Sequence, residues 1–593
     1  MSDLPSSTRA IFSRLSGAAL LACALCAPAL GKPQARIEGV EDAALRDALY
    51  QTIGEAEEEA ESRWAARDMA QQAAERIRLY LESRGYYAAL VDPRLGENDT
   101  PLVRVRPGVQ FVFESVDVAF DVPADSERAP GAEIESELGL QAGRPVLASA
   151  VIDAENRVLT ALRNSGWIQA ETGNREIIVD HATEAARATF AYDTGPFLRF
   201  GTPQLAGGLA DLDEEYVRRL APFEAGEPAS KAQLEEYNQR LQNLEIVALA
   251  DTRLAPNATG VQRPVDVRME PVPRHTLAVA ARFSTDRGAG GQVEWIRRNM
   301  FNRDETLTLD VSAATLQSGV EATLQMPHWR RYNQALTLTG AALAERTDAY
   351  DQDALSAGAA LSRVLTDELT VSAGIDTQIA RVEDARGERD LATVTLPLEA
   401  VFDMRDSVLN PLDGVYTELR VRPGMSFGDE EARYVRSVFG LRGYQTFGES
   451  WTLAARVRLG ALFGATAQEV PPTQRFYAGG GGSIRGYEYQ SVSPPLLDEV
   501  TGREEPFGGR SLFETSAELR YRWSDRLGFV TFVDGGIAGR ELSPDFGEMQ
   551  YAAGFGVRYY PGFGPIRADI ATPLNPRDGD DPVHFYISIG QAF

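Results

Sequence analysis

From about residue 275 to residue 593, apolar and polar residues alternate one for one, and Gly, Asn and Asp collect between the alternating runs. Successive side chains of a strand point to opposite faces, so this pattern predicts strands joined by turns. In residues 306–313, Leu307, Leu309, Val311 and Ala313 share one face, and Thr306, Thr308, Asp310 and Ser312 the other. Residues 335–342 repeat the pattern, and residues 415–422 set Val415, Thr417, Leu419 and Val421 against Tyr416, Glu418, Arg420 and Arg422. At roughly 20 residues per strand and connection, the segment holds about 16 strands, an even number suited to closing a barrel. Its end keeps the alternation: Val583, Phe585, Ile587, Ile589 and Phe593 share one parity and are expected to face lipid.

Ahead of residue 275 the period is helical and the punctuation repeats about every 80 residues. Val151, Ala154, Val158 and Leu162 mark one amphipathic helix, which stops at Gly166 before Trp167. Leu234, Tyr237, Leu241 and Leu244 mark another, opened by Ser230 and Gln233 as an N-cap and capping-box pair. A third, around Ile77 and Leu81, stops at Gly85 before Tyr86. Gly143 and Gly226, each in a Gly-x-Pro turn, stand 83 residues apart. Extended runs at 102–108, 186–195 and 265–271 follow the helices, so each unit is expected to be a small α+β module. The predicted boundaries are 32–108, 109–195 and 196–273 for the modules, with the barrel over 274–593. Exposed strand edges in such modules suit β-augmentation by extended segments of other proteins.

Charge and composition then remove alternatives. The chain carries 59 Lys+Arg against 86 Asp+Glu, a net charge of −27, which disfavours nucleic acid. Arg9 and Arg14, followed by the apolar run 16–30, predict a signal peptide over 1–31, and both cysteines, Cys23 and Cys26, fall inside it. His181, His275, His328 and His584 are scattered, and no nucleophile or metal-ligand motif accompanies them, so neither an enzyme nor a cofactor is expected.

One connection, residues 465–507, is far too long for a plain turn. Its centre, QRFYAGGGGSIRGYEYQSVSP at 474–494, joins four glycines to aromatic residues and Arg485. An arginine inside a barrel needs carboxylates. Parity points Glu518 into the lumen, opposite Ala517, Leu519, Tyr521 and Trp523, and the segment FVDGG at 532–536 offers Asp534.

On these segments, together with 282–288, 295–305 and 403–414, the sequence resembles the BamA/TamA superfamily of outer-membrane assembly barrels. The resemblance implies tandem POTRA domains and a 16-stranded barrel whose long extracellular loop folds into the lumen. It also implies that Ile484, Arg485, Gly486 and Tyr487 form the loop motif, with Arg485 locked to Glu518 and Asp534. Three modules are most like the TamA-type branch. That branch implies a TamB-type inner-membrane-anchored partner, unfolded outer-membrane clients such as autotransporters, and contact with outer-membrane lipid. The seam where clients enter would lie between residues 276–284 and the last strand, where Gly590 could weaken pairing next to Phe585, Ile587, Ile589 and Phe593. A BamA-like insertase, a two-partner secretion transporter and a passive porin-like channel are the alternatives.

Overall fold

The computed structural model describes the chain except residues 1–32, 57–59, 209–210, 257, 285–287, 498–501, 562–563 and 590. The expected signal peptide and Gly590 therefore lie outside the described residues, as do the side chains of 281–284 and Ile589. The chain divides into two compact units: Met1–Gly201 with Phe223–Leu234 and Ala255–Pro264, and Thr202–Pro222 with Glu235–Leu254 and Val265–Phe593.

Three modules share one plan: a strand, two helices, then two strands, the last of which takes the centre of a three-stranded sheet. In the second module the helix Ala148–Asn164 buries Val151, Ala154, Val158 and Leu162 on one face, against Phe111, Phe190 and Trp167. It ends because Gly166 takes φ +111°, which lets Trp167 N–H donate back to the Leu162 carbonyl at 3.1 Å. A Cβ at that glycine would lie 2.2 Å from the Phe197 ring. The first module repeats the stop, with Tyr86 N–H on the Leu81 carbonyl at 2.9 Å. The central strands, Pro101–Arg106, Ala185–Asp193 and Gln262–Pro271, fall on the extended runs that the sequence marks.

The barrel strands are β1 His275–Ser284, β2 Gly288–Arg298, β3 Thr306–Ala314, β4 Gln317–Met326, β5 Gln334–Arg346 and β6 Asp351–Val364. They continue as β7 Leu369–Asp384, β8 Gly387–Thr395 with Leu398–Asp403, β9 Gly414–Gly428, β10 Ala432–Phe447 and β11 Trp451–Phe463. The last five are β12 Ser511–Arg522, β13 Leu527–Gly539, β14 Gln550–Tyr559, β15 Ile566–Pro573 and β16 His584–Ile589. The two pieces of β8 both pair with β7 and with β9, so they act as one strand interrupted at Leu396–Pro397, and the closed ring has 16 members. Every neighbouring pair is antiparallel. Leu277, Val279, Leu355, Ile379, Phe585 and Ile587 are each more than half exposed on the outer face, an apolar surface of the kind lipid covers.

Closure is uneven. Among the described residues β6 and β7 share 14 residue pairs, whereas β1 and β16 share two, Phe283 with Ile587 and Ser284 with Tyr586. Among the described residues, His275 to Arg282 of β1 have no strand partner on that side.

Candidate functional site

The connection between β11 and β12 fills the lumen, and its residues Phe476, Ala478, Ile484 and Tyr487 are buried with Val438, Leu462, Leu512 and Ala552 of the wall. Alternation along the strands places each charged partner of this loop. On β12, Glu514, Ser516, Glu518 and Arg520 point inward and are buried, while Leu519 is exposed on the outer face.

Arg485 sits at the hub. Its Nε and Nη2 donate to Asp534 of β13 at 2.7 and 2.9 Å, and its backbone N–H to the same carboxylate at 3.1 Å. Its Nη1 donates to Glu518 at 2.7 Å and to Asp569 of β15 at 3.3 Å, and the guanidinium carbon lies 3.4 Å from the Phe532 ring centroid. Ser516 completes the site by donating to Asp534 at 2.6 Å. Arginine suits this position because its planar fork reaches three carboxylates at once. The neighbouring motif residues tighten the fit. Ile484 is fully buried, and Tyr487 Oη lies 3.2 Å from the Tyr551 carbonyl. Gly486 has φ +97° and donates its N–H to Tyr586 Oη of β16 at 3.0 Å, so the loop also touches the strand at the seam.

The structure thus brings Arg485, Glu518 and Asp534 together and adds residues that the sequence reading passed over. Asp569 is the third carboxylate; inward parity within IRADIATP (566–573) was the signal available for it. Arg520 shares Glu518 at 2.8 Å, and Arg558 pairs with Asp569. Each of these two arginines then holds the end of the chain. Arg520 Nη2 donates to the Phe593 carbonyl at 3.3 Å, and Arg558 Nε to Gln591 Oε1 at 2.9 Å.

Those contacts correct one expectation. Phe585 and Ile587 face outward as their parity requires, but Phe593 is 8% exposed and packs in the lumen with Tyr444 and Ala454. The ladder stops at Ile589, so alternation no longer fixes the direction of the last residues. The inward arginines offer Phe593 cation–π contacts, with Arg456 at 5.4 Å and Arg520 at 5.6 Å from its ring.

A second set of contacts joins the third module to the first turn of the barrel, residues 299–305. Asp304 is buried and accepts the backbone N–H groups of Ile246 and Glu245 at 2.8 and 3.0 Å. Burial pushes its carboxyl up to about 7, against the pull of those two donors. Beside it, Arg303 donates to Asp213 at 2.8 and 2.9 Å and holds that half-buried carboxyl below the usual range.

The Omp85 superfamily domain matches residues 299–593. Outer membrane protein assembly factor BamA of Neorickettsia risticii is 22% identical over 346 residues, 53% of this chain and 45% of that protein. BamA of Nitratidesulfovibrio vulgaris is 24% identical over 411 residues, 66% of this chain and 51% of that protein. The chain spans about half the length of these two relatives. Among solved structures, BamA from Haemophilus ducreyi lacking POTRA domains 1–3 superposes with a TM-score of 0.67 at 15% identity, over 80% of this chain and 99% of that one.

Proposed function

Because residues 299–593 form an Omp85 superfamily domain, we propose that this chain assembles or translocates outer-membrane proteins through the seam between β1 and β16. The barrel sits in the outer membrane with its POTRA modules in the periplasm. The observation that carries the reading is the two-residue seam beside a loop fixed inside the lumen by Arg485. In lipid each unpaired backbone group costs several kcal/mol, so an edge that offers main-chain partners within the membrane lowers the barrier for a client strand. The open edge of β1, His275 to Arg282, is such a template, and a client adds to it by β-augmentation. No covalent step is needed, and the chain acts without a cofactor.

The finer reading is a TamA-type subunit, supported by the three modules ahead of the barrel among the described residues. Its clients are then unfolded barrels, autotransporters among them, and its partner is a TamB-type protein anchored in the inner membrane that docks on the modules. Exposed outer strands such as Glu171–Asp180 of the second module supply edges for that docking.

The test is client insertion. The protein is reconstituted in liposomes, a urea-unfolded barrel is added, and its conversion to a heat-modifiable, protease-protected form is followed. Wild type accelerates conversion, and Arg485→Ala and a form lacking residues 36–273 lose the acceleration. Steady ion conductance without acceleration, with or without the modules, sinks the proposal in favour of a passive channel.

A further inference from the structure

The long loop is fixed to the wall at a second place that shares no residue with the Arg485 hub. Arg475 and Asp384, whose side chains are both fully buried, form an ion pair at 3.0 Å. Asp384 closes β7 and also pairs with Arg389 of β8 at 2.7 Å. Arg475 lies 3.8 Å from the Phe507 ring centroid and donates to the Phe507 and Val470 carbonyls at 3.0 and 3.3 Å, so it gathers both stems of the loop onto one aspartate. Arg386 of the β7–β8 turn adds a donor to the Gln468 carbonyl and an ion pair with Glu430 at 2.5 Å. An apolar cluster of Tyr350, Val382 and Leu391 packs against Tyr477 of the loop.

The place of this cluster differs from that of the Arg485 hub. Asp384 belongs to the β7–β8 hairpin, whereas Glu518, Asp534 and Asp569 belong to β12, β13 and β15, toward the opposite side of the ring and next to the seam. The β7–β8 turn lies at the end of the barrel opposite the 299–305 turn, because successive strands run up and down. Between the two anchors run four glycines, 479–482, of which Gly479 and Gly480 take φ +107° and +96°. A glycine run bends at little cost, so it transmits force poorly from one anchor to the other.

We propose that Arg475 and Asp384 are positioning residues that hold the loop across the extracellular mouth, independently of the Arg485 hub. The first anchor braces the seam side of the wall, and the second closes the lumen to solutes. A ring of 16 strands is wide enough for an aqueous channel, so the barrel needs such a closure to keep the membrane sealed.

The test uses the full chain in planar bilayers and liposomes, with Asp384→Asn, Arg475→Gln and Arg485→Ala compared after heat-modifiability has shown each to be folded. Asp384→Asn and Arg475→Gln should raise mean conductance by about threefold or more, as expected when a plug leaves a wide lumen, while client insertion stays within about twofold of wild type. A cysteine at Ala478, which is 1% exposed, should become open to a membrane-impermeant maleimide in the same backgrounds. Unchanged conductance and labelling in both folded variants overturns the proposal. So does loss of insertion equal to that of Arg485→Ala, since the two anchors would then be one lock. Conductance and labelling need no client, so failure here is distinct from failure of the assembly reading.

Discussion

The seam and the wall opposite it are made from the same kind of strand, yet they are held differently. Between β6 and β7 the ladder runs through 14 paired residues and the hairpin is continuous. Between β1 and β16 two pairs remain among the described residues; β16 is held on its other side by six pairs with β15 and, from within the lumen, by Tyr586 Oη on the Gly486 N–H, while Asp569 of β15 is held by Arg485. Main-chain bonds close most of the ring, and the long loop braces the β12–β16 side of the seam from within. A ladder is lost bond by bond, whereas a hub of one arginine and three carboxylates can be released as a unit.

The most severe way to break that contrast is to make the seam like the rest of the wall. Phe283→Cys with Ile587→Cys introduces a cysteine pair at one of the two register positions of the seam, in a chain whose other cysteines are Cys23 and Cys26. Oxidation should abolish client insertion and a reductant should restore it; insertion that survives cross-linking would exclude the seam as the route. Next in size, Arg485→Ala leaves Glu518, Asp534 and Asp569 buried around an empty centre. Removing one partner of a buried charge network costs roughly 3–5 kcal/mol. The heat-modifiable barrel should therefore unfold at lower temperature, with the greatest gain in hydrogen exchange on β12, β13 and β15.

A smaller effect is expected at the junction of the third module with the barrel, where pH is the lever. The Asp304 carboxyl is raised to about 7, so the folded form prefers the proton that an unfolded chain gives up near 4. Its contribution to stability is full at low pH and is lost as pH rises through the ordinary carboxylate range to about 7. Protection factors at Glu245 and Ile246, with the intrinsic pH dependence of exchange divided out, should be larger at pH 5.5 than at pH 8, and Asp304→Asn should flatten the difference. Equal slopes in the two proteins would remove Asp304 from the account. The smallest change is Phe593→Ala. It deletes the ring contacts with Arg456 and Arg520, at about 0.5–2 kcal/mol, and should raise exchange in β16 while the rest of the barrel stays as it was.

Legibility in the sequence followed the range of the interactions involved. The alternation at Val415 to Arg422 and the helical spacing from Val151 to Leu162 report local burial, and both faces came out as the pattern implied. Glu518 could be assigned to the lumen because its strand neighbours fix its parity. Phe593 could not, because it lies beyond the last paired residue, where parity ceases to bind. Arg475 stands four positions before a glycine run and reads as one more polar loop residue; nothing near it in sequence announces Asp384, 91 positions earlier.

The sequence by itself therefore determined the kinds of elements, their order, the apolar outer face and the arginine that needs carboxylates. Those features follow from periods of two and 3.6 residues and from the cost of burying charge. Only the tertiary structure decided that three carboxylates meet one guanidinium, that a second ion pair joins the loop to the β7–β8 hairpin, and that among the described residues the ring closes on two residue pairs. These depend on which distant strands the closed ring brings face to face across its lumen. Curvature and shear set that meeting, and no local pattern along the chain encodes either.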